Sequence, residues 1–320
     1  MKYIITGGAG FIGSHIVEEL ADQRHEVVIL DNLFSGKREN IQPFLKKKNV
    51  TFVQGSITDL PLLIKTFEGA DGIFHEGAIA SVPYSVANPI ETNDVNLSGT
   101  LNVLVAARDC GVKKVILASS AAVYGDNPIL PKHESMIPDL LSPYAVSKIA
   151  GEHYCSVFSR LYGVQCTSLR YFNVFGPRQD PTSPYSGVIT KFISSSLAHR
   201  PMVIYGDGLQ TRDFVYVKDV VQANVRAMEK NAPGVYNIAC GRRINLLELA
   251  AMIAEITGIS VPILFDPPAK GDVRDSVADI MLAKKSIGYT PHWPVQKGLE
   301  ATIAWFREQR SSESEKAGSL

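Results

Sequence analysis

The chain has 320 residues, 45% of them hydrophobic, and its 32 basic and 32 acidic side chains cancel to zero formal charge. Neutrality gives no support for a nucleic-acid or polyanion partner, and every apolar run falls far short of the roughly 20 residues that a membrane span needs. The length suits two modest domains, or one large α/β unit with an appended lobe.

Met1 runs straight into Lys2-Tyr3-Ile4-Ile5, with no charged segment ahead of an apolar one. No secretory signal is therefore expected, and the cytoplasm is the expected compartment. Strands are predicted at 3–6, 26–30, 50–54, 72–75, 114–118 and 166–172, with helices at 13–21, 60–66, 93–110 and 144–161 between them. Alternation at this spacing predicts an α/β fold, a Rossmann-type doubly wound parallel sheet. The order of the strands is not encoded in the pattern.

After Gly176 the composition shifts toward Pro and Gly, as in Gly176-Pro177-Arg178 and Asp180-Pro181. Helices at 188–198 and 246–257 and strands at 202–205 and 261–264 predict a smaller mixed lobe that binds substrate. Strands at 212–216 and 235–239 predict a return toward the main sheet or the cleft. The expected division is a nucleotide-binding domain at 1–176 with a returning segment near 213–239. The lobe then takes 177–212 and 240–310, and 311–320 form a disordered tail. Cys110, Cys155, Cys166 and Cys240 show neither C-x-x-C nor zinc spacing, so free thiols in a reducing compartment are expected and no metal site is.

Gly7, Gly10 and Gly13 lie in Gly7-Gly8-Ala9-Gly10-Phe11-Ile12-Gly13, directly after the first strand and opening the first helix. Glycines there permit a tight turn and let backbone N–H groups approach a pyrophosphate at the positive end of the helix. Asp31 ends the second strand, where a carboxylate can accept from both ribose hydroxyls. The next basic residue is Lys37, so NAD is expected over its 2′-phosphorylated form.

Tyr144 and Lys148 stand four residues apart after Ser142-Pro143, where a helix can begin, so both lie on one helical face. A phenol ordinarily holds its proton to about pH 10. A nearby ammonium favours the phenolate, so the pair is expected to be a general base tuned toward neutrality.

Together Gly7–Gly13, Asp31, Ser119–Gly125 and Tyr144–Lys148 resemble the extended short-chain dehydrogenase/reductases, in their NAD-dependent epimerase/dehydratase group. Within that group the chain is most similar to the UDP-hexose 4-epimerases, over roughly residues 2 to 308. The resemblance implies an isomerase that holds NAD and a UDP-sugar. Tyr144 would take the proton of the sugar 4-hydroxyl, Ser120 would relay it, and the C4 hydride would go to NAD. The transient 4-keto sugar would then be reduced again on its other face. Lys148 would also reach the nicotinamide ribose.

The same resemblance places Ser56 and Ile57 against the adenine and Gly77 and Ala78 beside the diphosphate. It adds Phe11, Ile12, Asn32, Ser35, Gly36, Ala80, Asn96, Ser119, Tyr171, Asn173 and Val174 to the cofactor-binding set. Relatives are mostly apolar where Glu76 stands. On the substrate side it implies Ser81, Ser120, Ala121 and Asn173. Val188, Phe192 and Tyr205 would lie about the pyrimidine, with Gln210 and Arg212 in the signature 205–214 and Arg212 on the diphosphate. Relatives commonly carry a further arginine where Ala269 stands, which leaves Lys270 or Arg274 to supply that charge. Ser276 is small where epimerases restricted to UDP-glucose and UDP-galactose are bulky, so the N-acetylated pair is expected to be accepted too.

Ala121 and Ala122 occupy the place where sugar-nucleotide dehydratases resemble Thr-Asp-Glu. Methyl groups exchange no protons, so oxidation at C4 without water elimination is expected. A UDP-glucuronate 4-epimerase, or another sugar-nucleotide modifier of the same fold, is the rival within enzymes; its C5 carboxylate would want a hydroxyl or amide cluster near Tyr84, Ser85 and Thr182, or a basic partner. A non-catalytic NAD-binding regulatory protein would have lost Tyr144, Lys148 or Ser120. Relatives dimerise through the helices here at 93–110 and 144–161, so a homodimer is expected.

Overall fold

Successive residues of β1 (Lys2–Thr6) point to opposite sides, and this sets the layers of the fold. Ile4 enters one apolar cluster with Leu63, Phe67, Val103, Leu104 and Phe158, whereas Ile5 enters another with Ile16, Val17, Leu20, Phe74 and Val220. The computed structural model describes residues 1–181, 187–268 and 273–318.

From β1 the chain enters α1 (Phe11–Asp22) and returns as β2 (Glu26–Asp31), followed by α2 (Arg38–Ile41) and β3 (Val50–Gln54). It continues through α3 (Leu60–Phe67), β4 (Gly72–His75), α4 (Val82–Ala87), α5 (Pro89–Asn93) and α6 (Gly99–Asp109). Next come β5 (Lys114–Ser120), α7 (Pro143–Leu161), β6 (Gln165–Tyr171) and the short β7 (Asn173–Phe175). The second half holds α8 (Val188–Leu197), β8 (Met202–Tyr205), β9 (Thr211–Arg212), β10 (Phe214–Tyr216), α9 (Val217–Glu229) and β11 (Gly234–Ile238). It closes with β12 (Ile244–Asn245), α10 (Leu246–Thr257), β13 (Ile263–Asp266), α11 (Met281–Ile287) and α12 (Val295–Gly318).

Seven strands form one parallel sheet in the order β11-β6-β5-β4-β1-β2-β3. The order reverses direction between β1 and β4, so the chain leaves these two strands toward opposite faces of the sheet and a crevice opens outside their carboxyl ends. Thr6, Asp31, His75, Ser120 and Tyr171 all end strands on this edge. A third cluster, with Phe175, Ile189, Phe192, Ile204, Phe214, Leu249 and Ile303, forms the core of the smaller lobe. Among the described residues no helix is long and apolar enough to cross a membrane.

Several elements differ from expectation. The helix expected at 93–110 is interrupted by a π-helical turn at Asp94–Ser98 before α6. The strand expected at 212–216 divides at Asp213, with β9 antiparallel to β12 and β10 parallel to β7. Asp213 is fully buried and turns its carboxylate onto the N–H groups of Cys240, Gly241 and Ala278, which breaks the extended run. The strand expected at 261–264 starts at Ile263, because Pro262 lacks the N–H a ladder requires. The tail expected to be disordered from Ser311 continues α12 to Gly318; its residues include no proline, and Glu, Lys and Ala favour helix.

Candidate active site

The glycine turn is sterically obligatory. Gly7 has φ +68°, and a Cβ there would lie 2.6 Å from the backbone nitrogen of Gly77. A Cβ on Gly13 would lie 2.2 Å from the carbonyl oxygen of Gly7. Side chains at these positions would force the loops after β1 and β4 apart. The helix cap, Gly10, contributes no side chain, so the first N–H groups of α1 can meet an anion. Phe11 and Ile12 open α1 and pack, partly buried, against the lobe core.

Asp31 is buried at the end of β2, where its oxygens accept from Ala9 N at 2.9 Å and Leu33 N at 2.8 Å. Burial raises its pKa, opposed by those two N–H groups. A Cβ on Gly36 would sit 2.8 Å from both carboxylate oxygens. Glycine at that position leaves the acceptors open, so the pocket fits the ribose diol of NAD. In the same loop Asn32 Oδ1 accepts from Phe34 N at 3.1 Å, and the segment holding Ser35 closes through Lys37 N to Ala9 O at 3.0 Å.

Farther along, the Ser56 hydroxyl is paired with Thr58 Oγ1 at 2.8 Å, and Ile57 is buried. Ala78 is partly exposed and Ala80 exposed. Asn96 was expected to contact cofactor, but its amide is engaged inside the protein. Its Oδ1 accepts from Ile79 N at 2.7 Å, and its Nδ2 donates to Ile79 O and Ser147 Oγ. The π-helical turn aims Asn96 inward, so it shapes the 77–81 loop from behind. Ser81 likewise caps α4 by accepting from Tyr84 N at 3.1 Å.

Ser120 ends β5 in register with Tyr171 of β6. Its Oγ accepts from Ala122 N at 3.1 Å and caps a 3-10 turn over Ala121–Tyr124. Ser142 caps α7 by accepting from Ala145 N at 3.2 Å, and Pro143 occupies its first turn. This presents Tyr144 toward Ser120, whose hydroxyl favours the ionised phenol. Lys148 lies one turn on, its Nζ 5.6 Å from the Tyr144 ring centre and donating to Ala118 O at 2.8 Å.

The expected lowering of the Tyr144 pKa is not met by the protein alone. Burial raises it; the Ser120 hydroxyl pulls it down, and the charge of Glu76 adds to the rise. Burial also brings Lys148 down to about 8, against the opposing pull of Glu76 and Glu152. For both groups burial outweighs the contacts that oppose it.

Sequence reasoning missed the polar layer beneath this pair. Ser119, assigned to the cofactor, donates to Glu152 Oε1 at 2.5 Å. Arg170 holds Glu152 through Nε at 2.9 Å and Nη2 at 2.7 Å, all buried. Its Nη1 donates to the Tyr124 hydroxyl at 3.0 Å, which donates to Asn237 at 2.6 Å. The available signal was a charged residue inside an apolar strand and an acid four residues after Lys148. Glu76 proves half-buried: its Oε1 accepts from the Tyr171 hydroxyl at 2.8 Å, and its pKa is pushed to about 7 by burial.

From Tyr171 the chain leads toward the lobe. Asn173 pairs with Phe214 and donates through Nδ2 to Asp213 O at 3.2 Å; Val174 follows, partly buried. Arg212 precedes Asp213 and donates to Thr211 O at 2.9 Å and Arg274 O at 3.3 Å. Ser276 N donates to Thr211 O at 3.1 Å, which brings Ser276 beside Arg212. A cleft of about 480 Å³ is lined by Tyr205, Gln210, Phe265, Pro268 and Arg274, among others. Gln210 is buried, with Nε2 on Tyr205 O at 2.6 Å and an Oε1 that has no partner among the described residues. That oxygen keeps its accepting capacity unused among the described residues.

Two residues assigned to the substrate are engaged within the protein itself. Phe192 is fully buried among Ile189, Ile193 and Met202 in the lobe core, because its helix spacing turns it inward; Val188 at the start of α8 is only partly buried. Arg274 is exposed and gripped by Asp207. Ala269 and Lys270, and Thr182 of the rival reading, lie outside the described residues. Among the described residues no cluster of His, Cys, Asp or Glu could hold a metal ion.

The sequence profile of the "NAD dependent epimerase/dehydratase family" matches residues 3–239. A UDP-glucose 4-epimerase of Mycolicibacterium smegmatis is 39% identical over 313 residues, spanning 97% of this chain and 99% of the relative. The structure of a UDP-N-acetylglucosamine 4-epimerase from Methanobrevibacter ruminantium, in complex with UDP-N-acetylmuramic acid, superposes with TM-score 0.93. It is 41% identical and covers 96% of this chain and 98% of that one. The Thermus thermophilus UDP-glucose 4-epimerase complex with NAD superposes with TM-score 0.88 at 39% identity, covering 96% and 99%.

Proposed function

This chain belongs to the NAD dependent epimerase/dehydratase family, and we propose that it inverts C4 of UDP-hexoses, interconverting UDP-glucose with UDP-galactose and UDP-GlcNAc with UDP-GalNAc. The observation that carries this reading is the Ser120–Tyr144–Lys148 cluster, with the methyl groups of Ala121 and Ala122 directly after Ser120.

NAD, when bound, accepts and returns the hydride at the sugar C4. Tyr144 takes the proton of the 4-hydroxyl through Ser120, whose hydroxyl can accept one proton while giving another. Lys148 keeps the phenolate in place, and the positive charge of an oxidised nicotinamide, were it bound there, would favour ionisation of the buried phenol. Arg212 holds the diphosphate as a planar, always-charged fork. Gln210 Oε1 accepts from the nucleoside. With methyl groups at Ala121 and Ala122 where an eliminating acid and base would stand, the 4-keto sugar has no route to lose water and is reduced again. The small Ser276 leaves space for an acetamido group at C2.

The test is product analysis. The purified protein is incubated separately with UDP-glucose, UDP-GlcNAc and UDP-glucuronate, without added nucleotide. Conversion of the first two to their 4-epimers is expected. A pentose, a 6-deoxy-4-keto sugar or an unchanged substrate would contradict the assignment.

We also propose a homodimer through α6 and α7, because Val146, Val157 and Leu161 leave apolar surface exposed along α7. Replacing Val157 and Leu161 with Glu should give a monomer in sedimentation velocity.

A further inference from the structure

We propose that Glu76 is a positioning residue of this reaction: its carboxyl group, held beside the Tyr144–Lys148 pair, sets by its own charge the pH range over which Tyr144 works as the base. The proposal rests on Tyr144 being that base.

Glu76 is fixed at both ends. Its backbone nitrogen donates to Thr6 O at 3.1 Å at the end of β1, and the next residue, Gly77, lies against Gly7. Its carboxylate accepts from the Tyr171 hydroxyl at 2.8 Å. That hydroxyl accepts in turn from Asn224 Nδ2 at 2.8 Å, and Asn224 is fully buried on α9 and tied to Val220 O at 2.9 Å. Two braced elements, β6 and α9, therefore hold the acid in place.

The groups that face it are few. From α7 comes Lys148, whose Nζ donates to Ala118 O at 2.8 Å, one residue past the Leu117 that pairs with His75, and with it Tyr144, whose ring centre is 5.6 Å from that Nζ; Glu152 acts on Lys148 as well. From β6 comes Tyr171, and from α9 the neutral Asn224. On its own strand, His75 is neutral, its pKa carried to about 3 by burial, with its ring nitrogens bonded to Thr6 and Thr100. Lys148 is the only cation in that set.

Charge follows from this placement. Burial puts Glu76 near 7, within the working range, while Tyr171 and Lys148 pull it down. Ionised, it raises both Tyr144 and Lys148. As pH rises through neutrality the acid thus gains its charge and holds the proton on the phenol longer. A neutral side chain at this position should release that proton at lower pH.

The experiment uses the NAD-loaded protein and the variants E76Q, E76L and E76D, each also made with Tyr144→Phe. Two quantities are followed from about pH 6 to about pH 10. One is kcat and KM with UDP-glucose. The other is the ultraviolet phenolate absorbance lost on the Tyr144→Phe change, which isolates that one tyrosine. E76Q and E76L should move the phenolate midpoint and the acid limb of kcat together, by about one unit to lower pH. KM should stay within about twofold, and E76D, which keeps the charge, should follow the parent. If E76Q and E76L titrate with the parent while Tyr144→Phe is inactive, the role of Glu76 is refuted and the base stands. If Tyr144→Phe retains turnover, the base itself is wrong and this inference falls with it.

Discussion

Arg274 closes on Asp207 with both guanidinium nitrogens, Nη1 2.7 Å from Oδ1 and Nη2 3.0 Å from Oδ2, at the rim of the cleft beside Tyr205. The arginine holds the acid well below its ordinary value, down to about 2, so the pair persists through neutral pH. A carboxylate thus occupies the fork that a diphosphate would need. If Arg274 serves the substrate, the two anions compete for it. Arg274→Ala should raise KM for UDP-glucose about tenfold with kcat nearly unchanged, the pattern of lost ground-state binding. Asp207→Asn, which keeps the acceptor for Leu209 N, should lower KM a few-fold. Steady-state kinetics on both variants checks the pair; a rise in KM for both would mean that Asp207 orients Arg274 instead of competing for it.

Lys148 makes stability depend on pH. Its folded pKa, about 8, lies below the ordinary 10.5, so between these values the unfolded chain holds the extra proton. Stability contributed by this group therefore rises as pH increases across that window. Lys148→Met should lack the rise, which is worth up to about 3 kcal/mol. Urea denaturation of the nucleotide-free parent and variant at about pH 7.5 and about pH 10 measures the difference. Parallel changes in the two proteins would show that the ammonium is not desolvated as the structure has it.

Phe192 belongs to the lobe core, and its loss should be felt in stability. Phe192→Ala should cost about 3–5 kcal/mol by denaturant unfolding. KM for UDP-sugars, measured well below the transition, should stay within about twofold of the parent. A large KM effect with little loss of stability would restore it to the pyrimidine site.

Ser276 lies on the strand-like contact with Thr211, next to Arg212. Ser276→Tyr should reduce kcat/KM for UDP-GlcNAc by at least about a hundredfold and spare UDP-glucose, since filling a pocket excludes the larger substituent. Equal losses on both substrates would place Ser276 outside the C2 pocket.

The sequence carried the nucleotide turn and the Tyr144–Lys148 pair because both depend on local spacing. Gly7, Gly10 and Gly13 answer to one turn, and Tyr144 and Lys148 to one helical face. The alternating strands and helices likewise exposed the parallel sheet. Helix α9 and the division at Asp213 were not legible, since each depends on partners far along the chain: α9 covers the sheet, and Asp213 turns onto Cys240, Gly241 and Ala278.

By itself, then, the sequence determined the elements, the cofactor turn and which residue types are available for chemistry. Tertiary structure alone decided the strand order, the inward turn of Phe192, the grip of Asp207 on Arg274 and the placement of Glu76 against Tyr171. It also reversed the sign of the Tyr144 shift. Desolvation is summed over every element packed around a group, whereas spacing along one helix reports only the neighbours a turn away.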